Sequence, residues 1–530
     1  MSASRPSRFP TPTTGDLIAG ISVALVLLPQ SLAYAEIAGV PPHVGLFAAA
    51  LPPLLAAPFV SSPYLQTGPV ALTALLTFGA LSGLESTGTA SYIELAALLA
   101  LIVGVVRAIL GLARLGIVAY LMSQPVLTGF TASAAILIVA SQVPSMFDVD
   151  PDAAGVLERA LWVLARPDRW DVTAIVLSVT TVAVVLGARR VHRLFPGVLL
   201  AVVATVLWSE ATNYNGSVVG DLPGGFISLS LDLPYSQVPS LTVAGIVIAL
   251  VGFAEPASIA RTFATQDRMR WSANREFLGQ GVANIASGIS GGFPVGGSFS
   301  RSSLNRFAGA RTQWSGAITG AFVLAAIPLS ATLKSLPTAV LGAIVLTAAY
   351  RLVDFGAMLT IARGSRLQGL VVFGTFAATL LFAPNVERGV IAGVALAVAV
   401  HLIRELRVDH THEVDHDTLV LRPRGVIWFV TAPQLEARFI AARAEHPQLQ
   451  NLRIDFANVG RVDYGGAATL AELVDDAVAA GLTVDIVNIE PHAKRAVAAH
   501  LGGRHGVPTL AELADDERHQ WRLRRKPRSL

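Results

Sequence analysis

"AGIVIALVGFAE", residues 244–255, repeats the pattern of "AGISVALVLLPQ", residues 19–30. Six of the twelve positions are identical, and Gln30 falls over Glu255. The same offset of 225 residues carries Pro69-Val70 onto Pro294-Val295. Single matches among Ala, Leu and Val are common in apolar segments, but two matches in one register point to an internal duplication. The chain around them is 53% hydrophobic and only 14% charged. Soluble domains average about 25% charged residues, so the composition specifies a membrane protein.

A bilayer-spanning helix needs about 20 mostly apolar residues. By that rule fourteen segments are predicted, at 15–35, 43–60, 69–83, 92–113, 117–140, 171–188, 194–209, 241–260, 276–292, 299–309, 313–333, 336–351, 368–384 and 387–406. The segments near 69, 276 and 299 are too short or too rich in glycine for ordinary spans. Basic residues stay on the cytoplasmic side. Arg189, Arg190, His192 and Arg193 follow the sixth segment, Arg261, Arg268, Arg270 and Arg275 the eighth, and Arg351, Arg363 and Arg366 the twelfth. Asp148, Asp150 and Asp152, and later Glu210, Asp221 and Asp232, fall on the alternate side. This asymmetry predicts both termini in the cytoplasm. The duplicated segments are separated by an odd number of spans, so the repeats enter the membrane from opposite sides. Inverted repeats with glycine-interrupted segments at matching positions point to a transporter's binding site.

The matched interruptions are "SPYLQTGPVALTALL" (63–76) and "GFPVGGSFSRSSL" (292–304). Non-helical backbone at membrane depth is tolerated only where protein or a watery cavity covers it. Two half-helices are therefore expected, with N-termini meeting near the midplane. Each N-terminus carries roughly half a positive charge and free N–H groups, which suits an anion. Ser298 and Ser300 add hydroxyl donors, and Arg301 adds a full charge. An intramembrane arginine normally has a partner or a polar cavity, and Glu255 is the obvious partner. An apolar setting and a nearby arginine pull a carboxylate's proton affinity in opposite directions. Glu255 is thus either a proton carrier or half of a structural pair. Arg107, in "GVVRAILGLARLG", is expected to snorkel or to pair at a cytoplasmic helix end.

Three stretches resemble the sulfate permease family of anion transporters: "LLPQSLAYAEIAGVPPHVGLFAA" (27–49), "RLGIVAYLMSQPVLTGFTASAAI" (114–136), and "EPASIARTFA" with "NREFLGQGVANIASGISGGFPVGGSFSRSSLN" (255–305). The resemblance covers nearly the whole chain. It implies a polytopic α-helical membrane protein of fourteen transmembrane segments in 7+7 inverted repeats. It divides them into a core (segments 1–4 and 8–11) and a gate (5–7 and 12–14), with the core sliding against the gate in a homodimer. It also implies that Gln30 and Tyr34 line the site from segment 1, and that Val70 and Ala71 offer N–H groups from segment 3. Phe299, Ser300 and Arg301 would do so from segment 10, and Glu255 would be the segment 8 carboxylate. The motifs look most like those of proton-coupled sulfate transporters. Dicarboxylates such as fumarate, or bicarbonate with sodium, remain rival substrates, and an uncoupled exchanger or channel a rival mode. Glu36, in "AYAEIAG", is a second candidate for the proton, or else a solvated helix-end carboxylate.

From about residue 417 the pattern changes. "TLVLRPRGVIWFV" alternates like a strand pair, "NLRIDFANV" and "GLTVDIVNI" read as buried strands, and "AATLAELVDDAVAAG" as an amphipathic helix. Strands alternating with helices predict a small cytoplasmic α/β domain. "LRIDFANVGRVDYGGAATL" resembles the STAS domain, with Gly465 at the position where related antagonists carry a phosphorylatable serine. "RVDHTHEVDHD" (407–417) could hold a cation but reads as a solvated linker. The expected organisation is a cytoplasmic tail (1–14), a transport domain (15–406), a linker (407–416), a STAS domain (417–516) and a basic tail (517–530). The setting expected is the cell (inner) membrane. The chain lacks cysteine, which excludes disulfides and thiolate metal sites. No Ser/His/Asp set or Walker loop is present, so neither an enzyme nor a cofactor is expected, and the small net charge of +3 gives no sign of nucleic-acid binding.

Overall fold

The computed structural model describes residues 11–120, 123–153, 155–191, 195–222, 227, 229–405, 409–489 and 491–514. His192, Arg193, most of the N-terminal tail and the basic tail 517–530 lie outside the described residues. Contacts divide the chain into two units, Met1–Ala397 and Val398–Leu530.

The first unit is helical and repeats itself. Its first half runs α1 (Thr14–Ala38), α2 (Pro42–Ala56), β1 (Thr67–Gly68), α3 (Ala71–Leu81), α4 (Ala90–Leu112), α5 (Gln124–Phe147), α6 (Val156–Leu164), α7 (Val172–Val191) and α8 (Gly197–Thr212). Its second half runs α9 (Val238–Gln266), α10 (Ala273–Ile289), β2 (Gly296–Gly297), α11 (Phe299–Phe307), α12 (Trp314–Ala326), α13 (Thr338–Ala349), α14 (Phe355–Gly364), α15 (Arg366–Leu381) and α16 (Val386–Glu405). The order of elements is the same in both halves, and so is the packing. Helix α2 packs on α12 as α10 packs on α4, α5 on α15 as α13 on α7, and α1 on α11 as α9 on α3.

A helix occupies each of the fourteen expected places. Among the described residues six helices are long and apolar enough to cross a membrane by length and composition. Two short helices, α6 and α14, were not expected. They lie at equivalent places in the two halves and are only nine and ten residues long, so a search for spans of about 20 apolar residues passes over them. Helix α5 begins seven residues later than its expected span, because Pro125 occupies its first turn, the position where proline's missing N–H costs nothing. Arg261, read as a loop residue, lies on α9.

Local chemistry explains the helix ends. Thr13 and Asp16 form a capping box at the start of α1, and Gly39 ends the helix with φ of 78°. Asp16 is fully buried and reaches a second element, accepting from the backbone N–H groups of Arg311 and Thr312 at 2.8 Å. Between α4 and α10, small residues let the backbones touch. A β-carbon at Gly104 would lie 2.5 Å from the Ile285 nitrogen, and one at Gly281 would lie 2.6 Å from that of Ala108.

The C-terminal unit is an α/β domain. Strands β3 (Asp409–Asp415), β4 (Thr418–Ile427), β5 (Asn451–Asp455) and β7 (Thr483–Val487) lie side by side in that order, and β6 (Val459–Val462) pairs with the far half of β4. Helices α17 (Ala432–Glu445), α18 (Tyr464–Ala479) and α19 (Pro491–Leu501) complete the domain. Its core includes Leu421, Leu452, Ile454, Phe439 and Val474. Two readings change here. Residues 409–415, expected in a linker, form an antiparallel strand against β4. Their charges suit an edge strand, where charge discourages pairing with another chain. "TLVLRPRGVI" is one strand rather than a pair: its first half pairs with β5 and its second with β6, with an irregularity at Gly425. Gly465 lies in the first turn of α18, beside the N-cap Asp463, whose carboxylate accepts from the Gly466 N–H at 2.6 Å.

Candidate functional site

The duplicated interruptions meet. Strands β1 and β2 are two residues each and pair antiparallel, Thr67 with Gly297 and Gly68 with Gly296. Helix α3 leaves one and α11 leaves the other. Because the strands run in opposite directions, the helices depart in opposite directions and their N-termini remain at the ribbon. Neither start carries a side-chain cap: Val70 and Ser298 hold the N-cap positions without one. These N-caps are 228 positions apart, so the equivalence shifts by three residues from the register of the first motif. The match of Pro69-Val70 with Pro294-Val295 is therefore not structural.

Buried polar groups hold the crossing. The Ser298 N–H donates to the Gln66 carbonyl at 3.1 Å, and the Gln66 N–H donates to Ser302 Oγ at 2.9 Å. Asn305 Nδ2 donates to the Tyr64 carbonyl at 3.1 Å. From behind, Asn284 on α10 accepts from the Val295 N–H and donates to the Val295 carbonyl, while Gln280 Nε2 donates to Thr67 Oγ1 at 2.7 Å.

The two half-helix starts open on a cavity of about 820 Å³. Gln30 and Tyr34 of α1, Val70 and Ala71 at the start of α3, Glu255 of α9, and Ser298, Phe299, Ser300 and Arg301 at the start of α11 all line it. It is also lined by α7, α8 and α13, including Val185, Gly197, Val198 and Thr347. Nothing in the apolar pattern of those helices marked them as cavity-facing. Glu36 is not among the lining residues. It is six residues beyond Gln30, and the helical turn of about 100° per residue sets it on another face of α1.

Arg301 is 1% exposed. Its Nη2 donates to the Pro69 carbonyl at 2.8 Å and its Nη1 to Gln30 Oε1 at 3.4 Å. Its Nε is buried without a hydrogen-bond partner among the described residues. Glu255, on α9, lines the same cavity as Arg301 and the start of α11. The Phe299 ring stacks on Phe263 with centroids 6.0 Å apart. Further along α11, Arg306 pairs with Asp267 just past the end of α9. That pairing holds the Asp267 carboxyl below the usual carboxylate range.

Arg107 departs from expectation. It does not snorkel: it is fully buried and donates to the backbone carbonyls of Ile248, Ala249 and Val295 at 3.0–3.1 Å.

Two sequence-related helical repeats, whose broken helices start at a buried arginine in a shared cavity, define a membrane transporter for anions. Known proteins agree. The sulfate permease family matches residues 13–375 and the STAS domain residues 409–505. A probable sulfate transporter of Mycobacterium tuberculosis is 33% identical over 404 residues, 75% of this chain and 71% of that one. A sodium-independent sulfate anion transporter of Bos taurus is 27% identical over 94% of this chain and 87% of its own. In fold, the chain is similar to the murine Slc26a9 anion transporter in its inward-facing state, with a TM-score of 0.85 over 96% of this chain and 92% of that one, at 19% identity. The chain belongs to the sulfate permease family.

Proposed function

We propose that this transporter is a proton-coupled sulfate symporter working by elevator-type alternating access. The observation that carries the reading is the shared cavity that sets Glu255 with Arg301 and the start of α11. While ionised, Glu255 offsets the arginine's charge beside the α11 start. Once protonated it does not. The net positive charge then becomes available to an anion, so proton and anion enter together. Gln30, Tyr34, Val70, Ala71, Ser300 and Arg301 would surround that anion, as the cavity they line suggests. A dianion suits two helix N-termini and one guanidinium, and the relatives named above are called sulfate transporters.

The cavity is lined by α1, α3, α9 and α11 together with α7, α8 and α13. A sliding of the first group against the second would alternate access. The protein would work as a homodimer in the cell membrane with both termini cytoplasmic. The C-terminal domain would begin at the edge strand, near 409. Radiolabelled sulfate uptake into proteoliposomes, with and without an inward proton gradient, tests the reading. Gradient-driven uptake that resists fumarate and bicarbonate supports it. Accumulation of fumarate or bicarbonate without sulfate would overturn the substrate, and gradient-independent sulfate flux would overturn the coupling.

A further inference from the structure

Arg107 presents an unusual balance. Each of its three nitrogens donates to a backbone carbonyl, two on α9 and one at Val295 just before β2. Its charge is not matched: among the described residues no carboxylate pairs with it. Carbonyls satisfy hydrogen bonds but do not neutralise a cation. Neutral donors could staple α4 to α9 without the cost of burying an unpaired charge, so stapling alone does not account for an arginine.

The position of that charge suggests its use. Val295, which Arg107 Nη1 touches at 3.0 Å, is three residues from Ser298, the N-cap of α11. At no more than about 3.5 Å per residue, and with the hydrogen bond itself added, the guanidinium lies within about 13 Å of that helix start. A β-carbon placed on Gly252 would lie 2.7 Å from Arg107 Nη2 and 3.2 Å from Thr73 Cγ2. Thr73 belongs to the first turn of α3. The charge therefore sits near both half-helix starts, and Arg107 itself does not line the cavity.

We propose that Arg107 is a second fixed positive charge of the anion site, acting from near the two half-helix N-termini to favour divalent over monovalent anions. It is a specificity-determining residue that never touches the substrate. The proposal rests on the anion-site reading above. At about 13 Å and an effective dielectric of about 20, one unit charge changes a monoanion's affinity about tenfold and a dianion's about a hundredfold.

The test uses the full chain in proteoliposomes, with sulfate KM and the inhibition constant of nitrate measured for wild type, Arg107→Gln and Arg107→Lys. Arg107→Gln is expected to raise sulfate KM about a hundredfold and the nitrate constant about tenfold, with maximal rate per folded transporter retained. Arg107→Lys, which keeps the charge, is expected to hold both within a few-fold. Equal weakening of both anions by Arg107→Gln, or none, overturns the proposal and leaves Arg107 as a packing residue. Should Arg107→Gln fail to fold, Arg107→Lys still decides: a folded lysine variant that has lost the preference for sulfate overturns it. A wild type that responds to neither anion would instead overturn the anion-site reading itself.

Discussion

Replacing Arg301 with alanine removes one charge and two hydrogen bonds from the cavity wall. The charge is the larger loss. An anion held by the starts of α3 and α11 would lie roughly 5 Å from the guanidinium. At an effective dielectric of about 20 that distance corresponds to about 3 kcal/mol per charge on the anion, and about 6 kcal/mol for a dianion. Water entering the emptied space returns part of this, so half is a conservative figure. Sulfate affinity is then expected to fall by at least about a hundredfold, since each 1.4 kcal/mol is a factor of ten. The Pro69 carbonyl, which accepts from Nη2 at 2.8 Å, loses its donor at a further cost of about 1–3 kcal/mol in stability. Tracer binding to detergent-purified protein measures the first effect, and thermal unfolding of the same sample the second. A folded Arg301→Ala variant that binds sulfate within threefold of wild type would refute the assignment of Arg301 to the anion.

Three further outcomes follow from the packing. Asp16→Ala strands the N–H groups of Arg311 and Thr312 along with the α1 capping box, and is expected to cost at least about 3 kcal/mol, read as a lowered Tm. Gly45→Ala places a β-carbon 1.9 Å from the Ser31 carbonyl oxygen; α1 and α2 cannot separate freely, so the folded yield in membranes should collapse. Asp267 is held below the usual carboxylate range by Arg306. Its contribution to stability is full above that range and lost as pH falls through its depressed value. Arg306→Gln should remove this acid-side dependence, and an unchanged low-pH unfolding profile would show the pair to be idle.

Much of the membrane unit was legible because lipid imposes a simple rule. Long apolar runs had to be helices, and Gly, Pro and Ser clusters in two of them had to be interruptions. The repeat register was legible at Ala19 and Ala244 but drifted before the half-helices, where three extra residues intervene. Arg107 was misread because five residues separate it from the end of α4, close enough to suggest snorkelling. The carbonyls that receive it belong to α9 and to Val295 just before β2, distant in sequence and chemically generic. The lining that α7 and α8 give the cavity was invisible for the same reason: Val185, Gly197 and Val198 look like any membrane-helix residues. In the second unit the charges of residues 409–415 hid a strand, since an edge strand needs no apolar alternation on its open side.

The central claim is that one proton on Glu255 frees the Arg301 charge and the α11 start for the anion. Sulfate affinity measured across pH for wild type and Glu255→Gln tests it most directly. The wild type should lose about tenfold in affinity per pH unit once the carboxyl ionises, while Glu255→Gln should bind sulfate with no such slope. A wild type whose affinity is flat across pH, or a Glu255→Gln variant that keeps the slope, would contradict it.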